Sequence, residues 1–141
     1  MGGVAVESCP VSSPVYDLFA RAMIEERQVA CVFRGRPRVL SVIILGHTDG
    51  AEVALAWQTG GESSGRLPPG GAWRNITLSE VTDARLLESK LRRGTRKTGA
   101  QRWVADVDLD VNPDSPYQPR RQLDDLRRAA NGKPPRARKE P

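Results

Sequence analysis

Arg34, Arg36 and Arg38, three arginines within five residues, form the densest chemistry-bearing group in this chain of 141 residues. Trp57 and Trp73 flank a glycine-rich segment that contains Arg66, and Arg74 follows Trp73 directly. Guanidinium forks hold phosphate oxygens through paired hydrogen bonds, and indole faces accept stacked bases. On one shared surface, Arg34, Arg36, Arg38, Trp57, Arg66, Trp73 and Arg74 would suit a nucleotide or single-stranded nucleic acid. The competing reading keeps both indoles in the core and leaves the arginines as solvated turn charges.

The other reactive residue types form no legible constellation. His47 is the single histidine and stands just before Thr48-Asp49, where it reads as an exposed turn residue rather than a catalytic base. One histidine and two distant cysteines, Cys9 and Cys31, fall short of the ligand set that zinc requires. Cys31 reads as a small buried hydrophobe and Cys9 as a free thiol. Asp106, Asp108 and Asp110 begin like a calcium loop, but Val111 and Tyr117 occupy the places of its glycine and closing glutamate. The segment GGESSGRLPPGG (60–71) lacks the Gly-Lys-Ser/Thr ending of a phosphate loop and reads as a hairpin tip. From that tip Arg66 could reach over a ligand. No catalytic residue, metal or cofactor is expected, and the chain reads as a non-enzyme.

These residues must be carried by short elements. Residues 1–12 read as a flexible leader. Ser13-Pro14 is a helix start, with Asp17 in the first turn and apolar residues at helical spacing, which predicts a helix over 14–28. Strands are expected at 29–33, 39–45, 51–58, 73–78 and 84–87, with RGRPR (34–38) as a tight connection. Asp49-Gly50 is a hairpin turn signal, and residues 78–81 can form one helical step. Residues 88–102 read as an exposed basic connector. WVADVDLDV (103–111) alternates, which predicts a half-buried strand with its three aspartates on the face opposite the apolar one, their charges balanced by basic residues, the adjoining connector first, or by water. A short helix can form over 122–130 within a Pro-rich basic tail (112–141) that is mostly disordered. The expected fold is mainly β (α+β): a small antiparallel barrel preceded by one helix, with an extra C-terminal strand.

Charge separates the two parts. Residues 1–116 hold 14 basic and 14 acidic residues, whereas 117–141 hold 8 basic and 3 acidic. The net charge of +5 therefore belongs to the tail, which either touches a polyanion or stays solvated. No signal-peptide pattern or membrane-length apolar run is legible, so a cytoplasmic protein without a membrane partner is expected.

FRGRPRVLSVIILGHTDGAEVALAWQTGG (33–61), followed by GGAWRNITLSEVTDARLLES (70–89), resembles the WYL domain. The likeness covers about residues 15–90. It rests on the basic turn Arg36-Pro37-Arg38, the strand 51–58, and Trp73 through Val81. Val53-Ala54-Leu55 stand at the positions of the naming tripeptide, and Glu80 where a basic residue is common. The resemblance implies an Sm-like barrel that binds a negatively charged, often nucleic-acid-derived ligand. Such domains commonly serve as regulatory modules behind a DNA-binding helix-turn-helix. Only one helix precedes the strands here, which makes this a free-standing module. The alternative is an accessory module that pairs with a protein partner or a second copy through the edge of 103–111.

Overall fold

The computed structural model describes residues 12–62, 67–94 and 101–134. It is mainly β, with six antiparallel strands in one sheet and two helices. Helix α1 (Pro14–Ile24) starts as its sequence dictates, with the Ser13 hydroxyl accepting from the Tyr16 amide at 3.1 Å. It ends four residues earlier than its apolar spacing predicts. Glu26 turns into the left-handed region (φ 55°), and β1 (Arg27–Phe33) begins at once. Gln28 is thereby placed in the sheet, where its amide donates to Ser41 and Thr59 hydroxyls.

Two tight turns set the register. Arg34-Gly35 (φ 53° and 74°) joins β1 to β2 (Arg36–Thr48), and Asp49-Gly50 (φ 51° and 81°) joins β2 to β3 (Ala51–Gly61). Positive φ at both central residues gives the twist that two antiparallel strands need. The connection expected over 34–38 is thus only two residues long, and Pro37 and Arg38 belong to β2. Next come β4 (Ala72–Thr77), a 3-10 turn (Leu78–Glu80) and β5 (Val81–Lys90).

The strand order is β4-β3-β2-β1-β5. β3 runs along one edge of β2. On the other edge β1 covers residues 36–40, and β6 (Asp106–Asp110) takes over at Ile44–His47. The two ends of this path, β4 and β5, are joined by the three-residue turn, so the sheet curls until its ends approach. No pairing closes the gap between them among the described residues. α1 lays Phe19, Ala22 and Met23 into the core formed with Val29, Leu40, Val42, Leu45 and Leu55. Burial of side chains of this size contributes about 1.5–3 kcal/mol each and dominates the stability of the fold.

Several expectations change. The basic connector is exposed at Lys90, Arg92, Arg93 and Arg102, as expected, but residues 88–90 extend β5, and the Leu91 and Arg92 amides donate to the Glu26 carbonyl and the Ser41 hydroxyl, each at 2.8 Å. The strand expected over 103–111 starts only at Asp106, because the Gln101 side chain brackets Val104 through both backbone groups and holds 101–104 in a turn. Asp108 and Asp110 are buried rather than on an open face. The chain returns along the free side of β6, where the Arg120 and Arg121 amides donate to the Val107 and Asp108 carbonyls. It then enters α2 (Leu123–Ala130), which buries Leu123. Arg127 donates to the Ile24 and Met23 carbonyls at 2.8 and 2.9 Å, adding charged donors at the carbonyl end of α1. The part of the expected tail up to residue 134 therefore packs on the domain. Among the described residues, no helix is long and apolar enough to cross a membrane.

Candidate functional site

The structure brings the turn arginines together with Arg74 but separates them from the indoles. Trp57 pairs with Trp73 across β3 and β4, and Ala56 pairs with Arg74. Successive side chains on a strand point to opposite faces. The indole pair and the guanidinium cluster therefore occupy opposite faces of the sheet.

On the indole face, Trp57 is 7 % exposed and meets Trp73 edge to face, with centroids 5.1 Å apart. Its Nε1–H donates to the Gly70 carbonyl at 3.1 Å. Gly94, at φ 75°, lies so close that a Cβ there would strike the ring. The Trp57 face is filled by the chain itself and offers no surface for stacking.

On the other face, Gln58 organises the arginines. Its Oε1 accepts from Arg38 Nη1 at 3.2 Å and from Arg74 Nε at 2.8 Å. Its Nε2 is fixed by the Gly60 and Glu62 carbonyls. Arg38 is 7 % exposed and also donates to the Phe33 carbonyl. Arg34 and Arg38 each place a guanidinium carbon 5.1 Å from the Phe33 ring centre. Arg34 is exposed and pairs with Glu80. Arg36 is half-buried nearby. No carboxylate among the described residues pairs with Arg38 or Arg74. Burial, followed by the charges of Arg74, Arg36 and Arg34, holds the Arg38 guanidinium below its ordinary value. Arg66 lies outside the described residues.

A second polar centre escaped the sequence reading. His47 is not in a turn: it lies in β2, paired with Glu52 of β3 and Asp106 of β6. Asp108, 5 % exposed, accepts from the Tyr16 hydroxyl at 2.5 Å, and His47 Nδ1 lies 3.0 Å from the same carboxylate. Burial, then the hydrogen bond to Asp108, pushes the Tyr16 phenol well above its ordinary range, so it stays a donor. Tyr16, His47 and Glu52 line a cavity of about 720 Å³, together with Ser12, Ser13, Gly50, Asp106, Arg120 and Arg121. The Asp49-Gly50 turn makes the His47–Glu52 pairing derivable from sequence. Nothing local signals Asp108, 61 residues away from His47.

Comparison of the chain with models of known families, with curated proteins and with solved structures gave no match.

Proposed function

We propose that this chain is a non-catalytic binding module that takes a phosphate-bearing anion, a nucleotide or single-stranded nucleic acid, at Arg34, Arg36, Arg38 and Arg74. The observation that carries this reading is the sharing of one neutral oxygen by Arg38 and Arg74. A largely buried guanidinium without a counter-ion is costly, and a phosphate held by both forks would offset that cost. The indoles on the far face give base stacking at Trp57 no part, so phosphate is the group gripped.

The three-residue link between β4 and β5 supports a small Sm-like barrel, as does the single preceding helix. Both agree with a module similar to WYL domains. The alternative, pairing of 103–111 with a partner or second copy, has less support: β2 occupies one edge of β6, and the Arg120 and Arg121 amides occupy the other.

The test is fluorescence anisotropy with labelled single-stranded oligonucleotides and nucleotides over a salt series. Arg34→Ala plus Arg36→Ala, and separately Arg74→Gln, are expected to weaken binding about tenfold or more. The slope of log affinity against log salt should flatten by roughly 0.7 for each single-strand phosphate that the variant no longer neutralises. Unchanged affinity in both variants would remove the assignment.

A further inference from the structure

The cavity around His47 is remote from the arginine cluster. Arg38 and His47 lie nine positions apart on β2, up to about 30 Å at an extended rise. Its chemistry is bipolar. Glu52, His47 and Asp106 are cross-strand neighbours on β3, β2 and β6, so they stand side by side on one face. Arg120 and Arg121 belong to the returning segment along the outer side of β6 and line the same cavity. Two carboxylates and two guanidiniums thus border one space of about 720 Å³.

Asp108 stands at the centre of the polar group: its Oδ2 accepts from the Tyr16 hydroxyl and lies 3.0 Å from His47 Nδ1. Its Oδ1 is buried without a hydrogen-bond partner. The Arg120 Nε stands 3.5 Å from that oxygen, and Arg120 itself is largely exposed. Tyr16, His47 and Arg120, the three groups around Asp108, all line the cavity. The under-satisfied buried carboxylate keeps this side of the cavity favourable for positive charge. A simple cation would leave Arg121 uncompensated, and a simple anion would face Glu52, Asp106 and Asp108.

We infer that this cavity binds a small zwitterion of the free amino acid type. The ammonium group lies against Asp106 and beside Glu52, whose oxygens also accept from the Ser13 amide and hydroxyl, and the carboxylate is held by Arg121 with Arg120. Asp108 acts as a positioning residue that fixes the imidazole and the Tyr16 hydroxyl.

The experiment uses the full chain and isothermal titration with the proteinogenic L-amino acids. Each binder is compared with its amide, which lacks the carboxylate, and its N-acetyl form, which lacks the ammonium. The expected result is binding of one or more free amino acids and a loss of at least tenfold for both derivatives. Asp106→Asn and Arg121→Gln alter exposed side chains and should each weaken binding about tenfold with the melting temperature retained. No binding by any amino acid, equal binding by either derivative, or parent-like affinity in both variants would overturn the inference.

Discussion

Arg38 and Arg74 reach the same Gln58 oxygen from β2 and β4, at 3.2 and 2.8 Å. The bridge is neutral, so both positive charges remain uncompensated by it. Gln58→Glu would supply the missing counter-charge in place and compete with any bound anion. It would also lose the donors to the Gly60 and Glu62 carbonyls, so gain and loss in stability nearly cancel at about 1–2 kcal/mol each. The expected outcome is a small change in melting temperature with at least a tenfold loss of oligonucleotide affinity at low salt. Retention of affinity would separate the anion site from this pair.

Gly94 and Gly50 both have positive φ, but their surroundings differ. A Cβ at Gly50 meets nothing within 4 Å, whereas one at Gly94 would strike the Trp57 ring. Gly50→Ala should therefore cost about 1 kcal/mol, the backbone term alone. Gly94→Ala should cost about 2–4 kcal/mol, with overpacking added. Urea unfolding of both variants, with tryptophan emission recorded, measures the difference. Equal costs would mean that residues 91–94 do not seat on Trp57.

Much of the architecture is legible because local chemistry decides it. Ser13-Pro14 opens α1, Asp49-Gly50 turns β2 into β3, and the Leu78–Glu80 step separates β4 from β5. Strand parity is legible too, since Trp57 next to Gln58, and Trp73 next to Arg74, already implies opposite faces. What sequence could not show is long-range covering. Alternation in 106–110 suggests aspartates on an open face, but Tyr16, His47 and the returning segment at 120–121 bury Asp108 from three distant parts of the chain. The expectation for His47 fails for the same reason, because its partner lies 61 residues on.

Tyr16 makes stability depend on alkaline pH. Its phenol is raised in the folded state by burial and by Asp108. A raised group binds its proton more tightly when folded, so its contribution is fully present below the unfolded value near 10 and fades as pH climbs above it. Cys31, pushed up to about 11 by burial, acts in the same direction from about pH 9. Tyr16→Phe should cost about 1–2 kcal/mol at pH 8 and flatten the decline above pH 10. Urea unfolding at intervals from pH 8 to 11, in a Cys31→Ala background, isolates the phenol. An unchanged slope would show that the Tyr16–Asp108 bond carries no such coupling.

The segment after β6 sets the last expectation. Arg120 and Arg121 cover the outer edge of β6 through their amides, Leu123 is buried, and Arg127 closes the end of α1. Removing residues 135–141 leaves all of these donors and acceptors in the chain and should leave the melting temperature within about 1 °C. Removing residues 112–141 takes away the donors to Val107 and Asp108 and the two bonds to α1. Their net worth of about 1 kcal/mol each, with a buried leucine of about 1.5–3 kcal/mol, sums to about 5 kcal/mol or more. That is a large share of the stability of a domain this size. The shorter deletion should therefore fold normally, and the longer one should unfold far earlier in urea. An unpaired strand edge invites pairing between chains, so the longer deletion should also elute as larger species by gel filtration with light scattering. A monomer as stable as the parent after that deletion would mean that the segment rests on the domain without holding it.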